Sequence, residues 1–140
     1  MSEIEEALRR LRELDKKVPK PLRLPTISDV KEYERRLNYS FPEHYKKFQL
    51  EAGNVTYGTI EPVVCLPDMD PYINPYIVAT DGWNEGVSKE WLPFCCDNGC
   101  YYCISGTGEI KFWDNEDCSF GLEAWSFPEW INDVWLESNA

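Results

Sequence analysis

The sequence predicts an α+β fold: N-terminal helices, then an antiparallel-rich β-sheet, then a C-terminal helix. Three observations carry this. Apolar residues recur at helical spacing as far as Ala52. After Asn54 the pattern changes to short apolar runs separated by turn residues, as strands read. The capping box Ser126-x-x-Glu129 then opens one more apolar helix. Helices segregated from strands along the chain indicate α+β rather than alternating architecture.

Residues 3–18 read as a first helix, with Ile4, Leu8, Leu11 and Leu14 on one face and Glu6 spaced to pair with Arg10. Pro19, Pro21 and Pro25 then impose an extended connector. Residues 1–25 are thus expected to form a helix and Pro-rich connector ahead of the main domain, 26–140. Thr26 or Ser28 caps a second helix whose inner stripe is Ile27, Val30, Tyr33 and Leu37. Pro42 suits the first turn of a third helix, with Phe41, Tyr45, Phe48 and Ala52 buried and Gly53-Asn54 as a left-handed end.

Thr59–Leu66 and Tyr76–Thr80 are strand candidates, separated by a loop of acids, prolines and tyrosines. Residues 81–86, Asp-Gly-Trp-Asn-Glu-Gly, read as an exposed turn-rich loop. Trp91-Leu92-Pro93-Phe94 and Asp97-Asn98-Gly99 read as a turn feeding a hairpin over residues 100–113. In that hairpin Tyr102 and Ile104 share one face, Tyr101 and Cys103 the other. Ile110 and Phe112 lie opposite Lys111 and Trp113 in the same way. Gly106-Thr107-Gly108 supplies the reversal. Residues 114–121 are an acidic loop. On the last helix Phe127, Trp130, Ile131, Val134 and Trp135 face inward.

The charge is uneven. Of a net −11, residues 1–50 hold twelve Lys/Arg and nine Asp/Glu, a balance of +3; residues 51–140 hold two and sixteen, a balance of −14. An acidic surface of this size repels nucleic acid and anionic lipid, and steers basic proteins toward itself. It serves plain solubility equally well. The N-terminus is charged from Glu3 and shows no signal-peptide pattern, and no run nears the roughly 18 apolar residues of a membrane span. A cytoplasmic setting with the six cysteines as thiols is expected.

Catalytic and metal chemistry find little support. Cys95, Cys96, Cys100 and Cys103 lack the two separated pairs of a zinc site, and Cys100 and Cys103 fall on opposite faces of one strand. They read as small apolar core thiols. His44, the single histidine, reads as a surface or cap residue. Residues 114–117, Asp-Asn-Glu-Asp, lack the spacing of a calcium loop. Gly106-Thr107-Gly108 precedes a strand, so it is a turn rather than a phosphate cradle. No enzyme activity, cofactor or metal is expected. What remains is an acidic and aromatic set: Asp68, Asp70, Tyr72, Tyr76, Asp81, Trp83, Glu85, Asp114, Glu116 and Asp117. Aromatic anchors within charged rims build interfaces; the same aromatics serve equally to close a core.

The order Trp91-Leu92-Pro93-Phe94, Asp97-Asn98-Gly99, Tyr101-Tyr102-Cys103-Ile104, residues 108–113 and residues 125–131 resembles the SUKH superfamily. So do the helix 32–37, Phe41-Pro42-Glu43-His44-Tyr45 and Ala52-Gly53-Asn54, and the likeness spans roughly 26–136. That group contains the fungal cell-wall assembly regulator Smi/Knr and many bacterial immunity proteins. Cys100 stands where the family's pattern carries Asp or another polar residue, and Ser105 where it often carries Asp. The resemblance implies a scaffold and a class of partner rather than a chemistry. It implies an immunity protein whose basic partner is a nuclease- or deaminase-type toxin domain, or else a regulatory adaptor that binds several cellular proteins.

Overall fold

Helix α1 (Glu3–Glu13) begins where Ser2 accepts a hydrogen bond from the Glu5 amide, and it buries Ile4, Ala7, Leu8 and Leu11. The computed structural model describes residues 2–139. The helix stops short of the expected residue 18, leaving Leu14 exposed, because the chain finds other partners. The Asp15 carboxylate accepts from the Thr56 amide (2.9 Å), and the Lys16 amide donates to the Thr56 carbonyl (2.7 Å). Arg9, not Arg10, pairs with Glu6, and it also takes Glu13. Arg10 instead donates to the Asn132 side chain (2.7 Å), tying α1 to the far end of the chain.

Helix α2 (Ile27–Leu37) is capped by Thr26 in a reciprocal capping box with Asp29. Val30, Tyr33 and Leu37 are buried, but Ile27 is 60% exposed, because the first turn overhangs the groove between this helix and residues 43–51. Asp29 also accepts from Arg23 (2.7 Å) and from the Thr26 amide (2.9 Å). The Arg23 guanidinium, helped by Thr26, holds this carboxyl at about 2, against an ordinary value of 3.8. A depressed folded pKa contributes stability above the unfolded value and loses it as pH falls through the folded one. Asp29→Ala is therefore expected to cost about 1 kcal/mol at neutral pH. It should also flatten the loss of thermal stability between about 3.8 and about 2, as read by melts across that range.

Helix α3 (Glu43–Ala52) buries Tyr45, Phe48, Gln49 and Ala52. Its end at Gly53 is right-handed (φ −63°), not left-handed as expected. Glycine is needed there for space, since a Cβ would lie 2.6 Å from the Gln49 carbonyl oxygen. The expected strand over 59–66 is instead a buried irregular segment; among the described residues it meets the sheet through the bridge of Pro62 with Cys95 and the bond from the Val63 amide to the Phe94 carbonyl (2.9 Å). Side chains take the place of strand neighbours: Gln49 Nε2 donates to the Val63 carbonyl (2.9 Å), and Gln49 Oε1 accepts from the Cys65 amide (3.1 Å). Tyr33 donates to the Leu66 carbonyl (2.7 Å).

Residues 76–86 form neither the expected strand nor the expected loop. Residues 76–85 belong to helix α4 (Pro75–Glu85). Asn74 caps it, accepting from the Tyr76 and Ile77 amides (2.9 and 3.1 Å), Pro75 fills the first position, and Gly86 (φ 126°) ends it. Pro75, Val78, Ala79 and Gly82 form the buried face at steps of three and four.

The sheet is antiparallel in the order β1 (Trp91–Asp97), β2 (Cys100–Ser105), β3 (Ile110–Asp114), β4 (Ser119–Phe120). The residues 91–97, expected as part of a turn, form an edge strand with a bulge between Pro93 and Cys95. An edge strand tolerates proline, which has no amide to donate. Only Asn98 and Gly99, both at positive φ, make the turn. The acidic loop after Asp114 is broken by β4, which pairs with Trp113 and Asp114. The hairpin faces are as read: α4 covers the face of Tyr101 and Trp113, with Gly82 against Pro93 and Gly86 against the Trp113 ring. The opposite face carries Tyr102 and Phe112 under the C-terminal helix.

That helix starts at the expected capping box as α5 (Phe127–Trp130) and continues through a π-helical turn, Ile131–Trp135, to a short 3-10 turn. Phe127, Trp130, Ile131 and Trp135 are buried, while Val134 is half-buried. Their rings meet Tyr45, Phe48 and Phe94 edge-on, at centroid distances such as 5.0 Å for Phe94–Trp130 and 5.6 Å for Phe48–Trp135. Each such pair adds roughly 0.5–1.5 kcal/mol beyond burial. Among the described residues no helix is long and apolar enough to cross a membrane.

Candidate partner-binding surface

The ten acidic and aromatic residues singled out from sequence fall into two groups along α4, whose 11 residues span about 16 Å at 1.5 Å per residue. At its N-terminal end lie Asp68, Asp70 and Tyr72, on the loop and 3-10 turn (Pro71–Ile73) that lead into it. All three are exposed, and they line one cleft of about 420 Å³. Tyr72 is 52% exposed. The negative charge of Glu61, with some burial and the charge of Asp70, pushes its phenol up from the ordinary value. Tyr76, in the first turn of α4, is already engaged: the Arg36 guanidinium sits 4.6 Å from its ring centre and 5.3 Å from that of Tyr33.

At the C-terminal end, Asp81 and Glu85 are one helical turn apart and both exposed. Glu85 accepts from the Tyr101 hydroxyl, whose acidity is suppressed first by burial and then by that bond and the nearby carboxylates. Trp83 is half-buried, and its Nε1 donates to the Trp91 carbonyl (2.8 Å), so this ring fastens α4 to the start of β1. α4 ends against the Trp113 ring, and the strand carrying Trp113 leads into Asp114 and the β3–β4 turn with Glu116 and Asp117. There Asp114 Oδ1 accepts from the Glu116 amide (2.9 Å) and shapes the turn, and Glu116 and Asp117 are exposed.

Charge pairing is as lopsided as the sequence. Among the described residues every ion pair lies between residues 6 and 51: Glu6–Arg9, Arg9–Glu13, Arg23–Asp29, Glu32–Arg35, Glu43–Lys46 and Lys47–Glu51. No acid beyond Glu51 is paired among them. Exposed pairs add little to stability, so the point concerns recognition. The negative field of the second half is uncompensated within the chain, and it falls off over a Debye length of about 8 Å at physiological salt.

The rest of the cleft was not legible beforehand. Its floor is Phe48, Ile60, Val64 and Trp135, and Glu61 joins the acidic rim. Glu61 gives a signal in retrospect: it is the one charge in the run Ile60–Leu66, so it must face outward from a buried segment.

The cysteines are dispersed. Cys95 and Cys103 are buried, and burial pushes both thiols up, away from the thiolate. Cys100 lies on the other face of β2 and reaches Asn115 Oδ1 (3.5 Å). His44 is exposed on α3. Among the described residues no three His, Cys, Asp or Glu are placed to hold a metal ion.

The model of a family described as SMI1-KNR4 cell-wall (SUKH_5) matches residues 4–136. This span begins inside α1, earlier than the residue 26 at which the resemblance read from sequence begins. A solved structure described as a protein from Pseudomonas syringae pv. tomato is 35% identical, with a TM-score of 0.88. The alignment covers 96% of this chain and 99% of that one. No curated protein matches the chain.

Proposed function

Because the chain belongs to the SMI1-KNR4 cell-wall family, we propose that it is a non-enzymatic protein-binding module. More specifically, it acts as an immunity protein in the cytoplasm. It neutralises a nuclease- or deaminase-type toxin by covering the basic surface on which that toxin would hold its polyanionic substrate. The observation that carries this reading is the unpaired acidity of the second half, where no carboxylate beyond Glu51 is neutralised from within the described chain. Enzymes that act on nucleic acids present Lys/Arg to phosphates. An inhibitor bearing matched negative charge gains association rate and specificity against them. Half-buried and exposed aromatics beside those charges supply contacts that slow release.

The test is capture of partners from native lysate at low and moderate salt, followed by kinetics on whatever binds. One stoichiometric basic protein is expected. The variant Asp114→Asn with Glu116→Lys and Asp117→Lys should bind it at least tenfold more weakly, mainly through a slower on-rate, with the difference shrinking as salt rises. Asn is used at 114 because Asp114 Oδ1 holds the turn. Absence of any basic partner at both salts would sink the reading. Several substoichiometric partners would favour a regulatory adaptor, the second reading, which the cell-wall description of the family supports.

A further inference from the structure

We propose that the cleft bounded by α3, the 60–66 segment and the 3-10 turn before α4 is a socket for one lysine or arginine side chain, presented on an extended segment of the protein partner. The proposal takes from the preceding section the premise that such a basic partner exists, and adds where it is gripped. Its floor is apolar and stiff. The Phe48 and Trp135 rings meet edge-on at 5.6 Å, Ile60 and Val64 are 7% exposed, and Trp135 Nε1 is fixed to the Tyr57 carbonyl (3.0 Å). Its rim is acidic: Glu61, Asp68 and Asp70 are all exposed, and none of them is in an ion pair. Tyr72 stands within the electrostatic reach of Glu61 and Asp70.

Apolar floor beneath an anionic rim is the complement of a long basic side chain, whose methylenes pack on apolar surface while its head stays with charge. A free anion or an acidic peptide would be repelled, and a purely apolar residue would leave the three carboxylates facing no counter-charge. The volume, about 420 Å³, falls within the roughly 300–1,000 Å³ of small-ligand sites. Among the described residues no Lys or Arg lines it. The connector is pinned beside the cleft by the bond from Asn54 Nδ2 to the Leu22 carbonyl (2.7 Å), and only Leu22 of that connector lines it.

The test uses the full chain, 15N-labelled, titrated with the capped peptide Gly-Leu-Arg-Leu-Gly and with the same peptide carrying norleucine for arginine. The arginine peptide should shift the amides of Val55, Ile60, Val64 and Ile73, and the norleucine peptide should bind at least tenfold more weakly. E61Q/D68N/D70N should weaken the arginine peptide at least tenfold. Asn suits position 68, where the backbone is left-handed (φ 59°). The 114–117 triple variant described above should leave its Kd within twofold. No saturable shift, shifts scattered over the acidic surface, or equal losses in both triple variants would each overturn the socket. A captured partner that binds E61Q/D68N/D70N as tightly as the parent would remove the socket and leave the immunity reading standing. Peptide binding in the cleft without any captured partner would do the reverse.

Discussion

Gln49→Leu should cost about 2–6 kcal/mol, the sum of roughly 1–3 kcal/mol for each of the two buried backbone groups it strands. Gln49 is fully buried, and its amide serves three groups at once: the Val63 carbonyl, the Cys65 amide and the Tyr45 hydroxyl (3.2 Å). Leucine matches its volume closely, so little of the loss comes from a cavity. Two backbone groups of the 60–66 segment are left without partners where water cannot reach. Chemical denaturation of the two proteins should give a lower midpoint and an unchanged m-value. A loss below about 1 kcal/mol would mean that the segment finds replacement bonds, and that Gln49 is not what holds it.

Gly82→Ala should destabilise the protein by about 1–3 kcal/mol, as overpacking does, although the same change in an exposed helix stabilises by roughly 1 kcal/mol. The sign therefore decides the matter. A Cβ on Gly82 would sit 2.6 Å from Pro93 Cγ and 3.0 Å from Pro93 Cβ, both atoms of a rigid ring on β1. To relieve that contact, α4 must lift from the sheet, and Trp83 would strain its bond to the Trp91 carbonyl. A thermal melt showing a gain in stability would place α4 off the sheet and refute the packing.

How much was legible follows from where each signal lies. Periods repeated within one element were readable: the inner stripe of α3, the alternation of Tyr101 to Ile104, and the reciprocal cap of Ser126 and Glu129. Helix α4 does not show in the local pattern because its buried face includes Pro75, Val78 and Gly82, residues that individually argue for strand or turn. The cue that outweighs them is Asn74-Pro75, a cap followed by a first-turn proline. The 60–66 segment was misread because its partner is a glutamine side chain, and no local pattern announces a tertiary hydrogen bond. For the surface, the acids and tyrosines were identifiable one by one. Their division into two groups was not, because the helix that separates them was read as a strand and a loop.

Arg10 and Asn132 are 122 positions apart, and α1 lies on the same aromatic cluster that α5 completes. During synthesis α1 therefore lacks part of the surface it rests on until residues 127–135 have followed it. Isolated helices of this length are marginal in water. The apolar stripe of α1 is thus completed by contacts of high sequence separation, the kind whose loop-closure entropy slows folding.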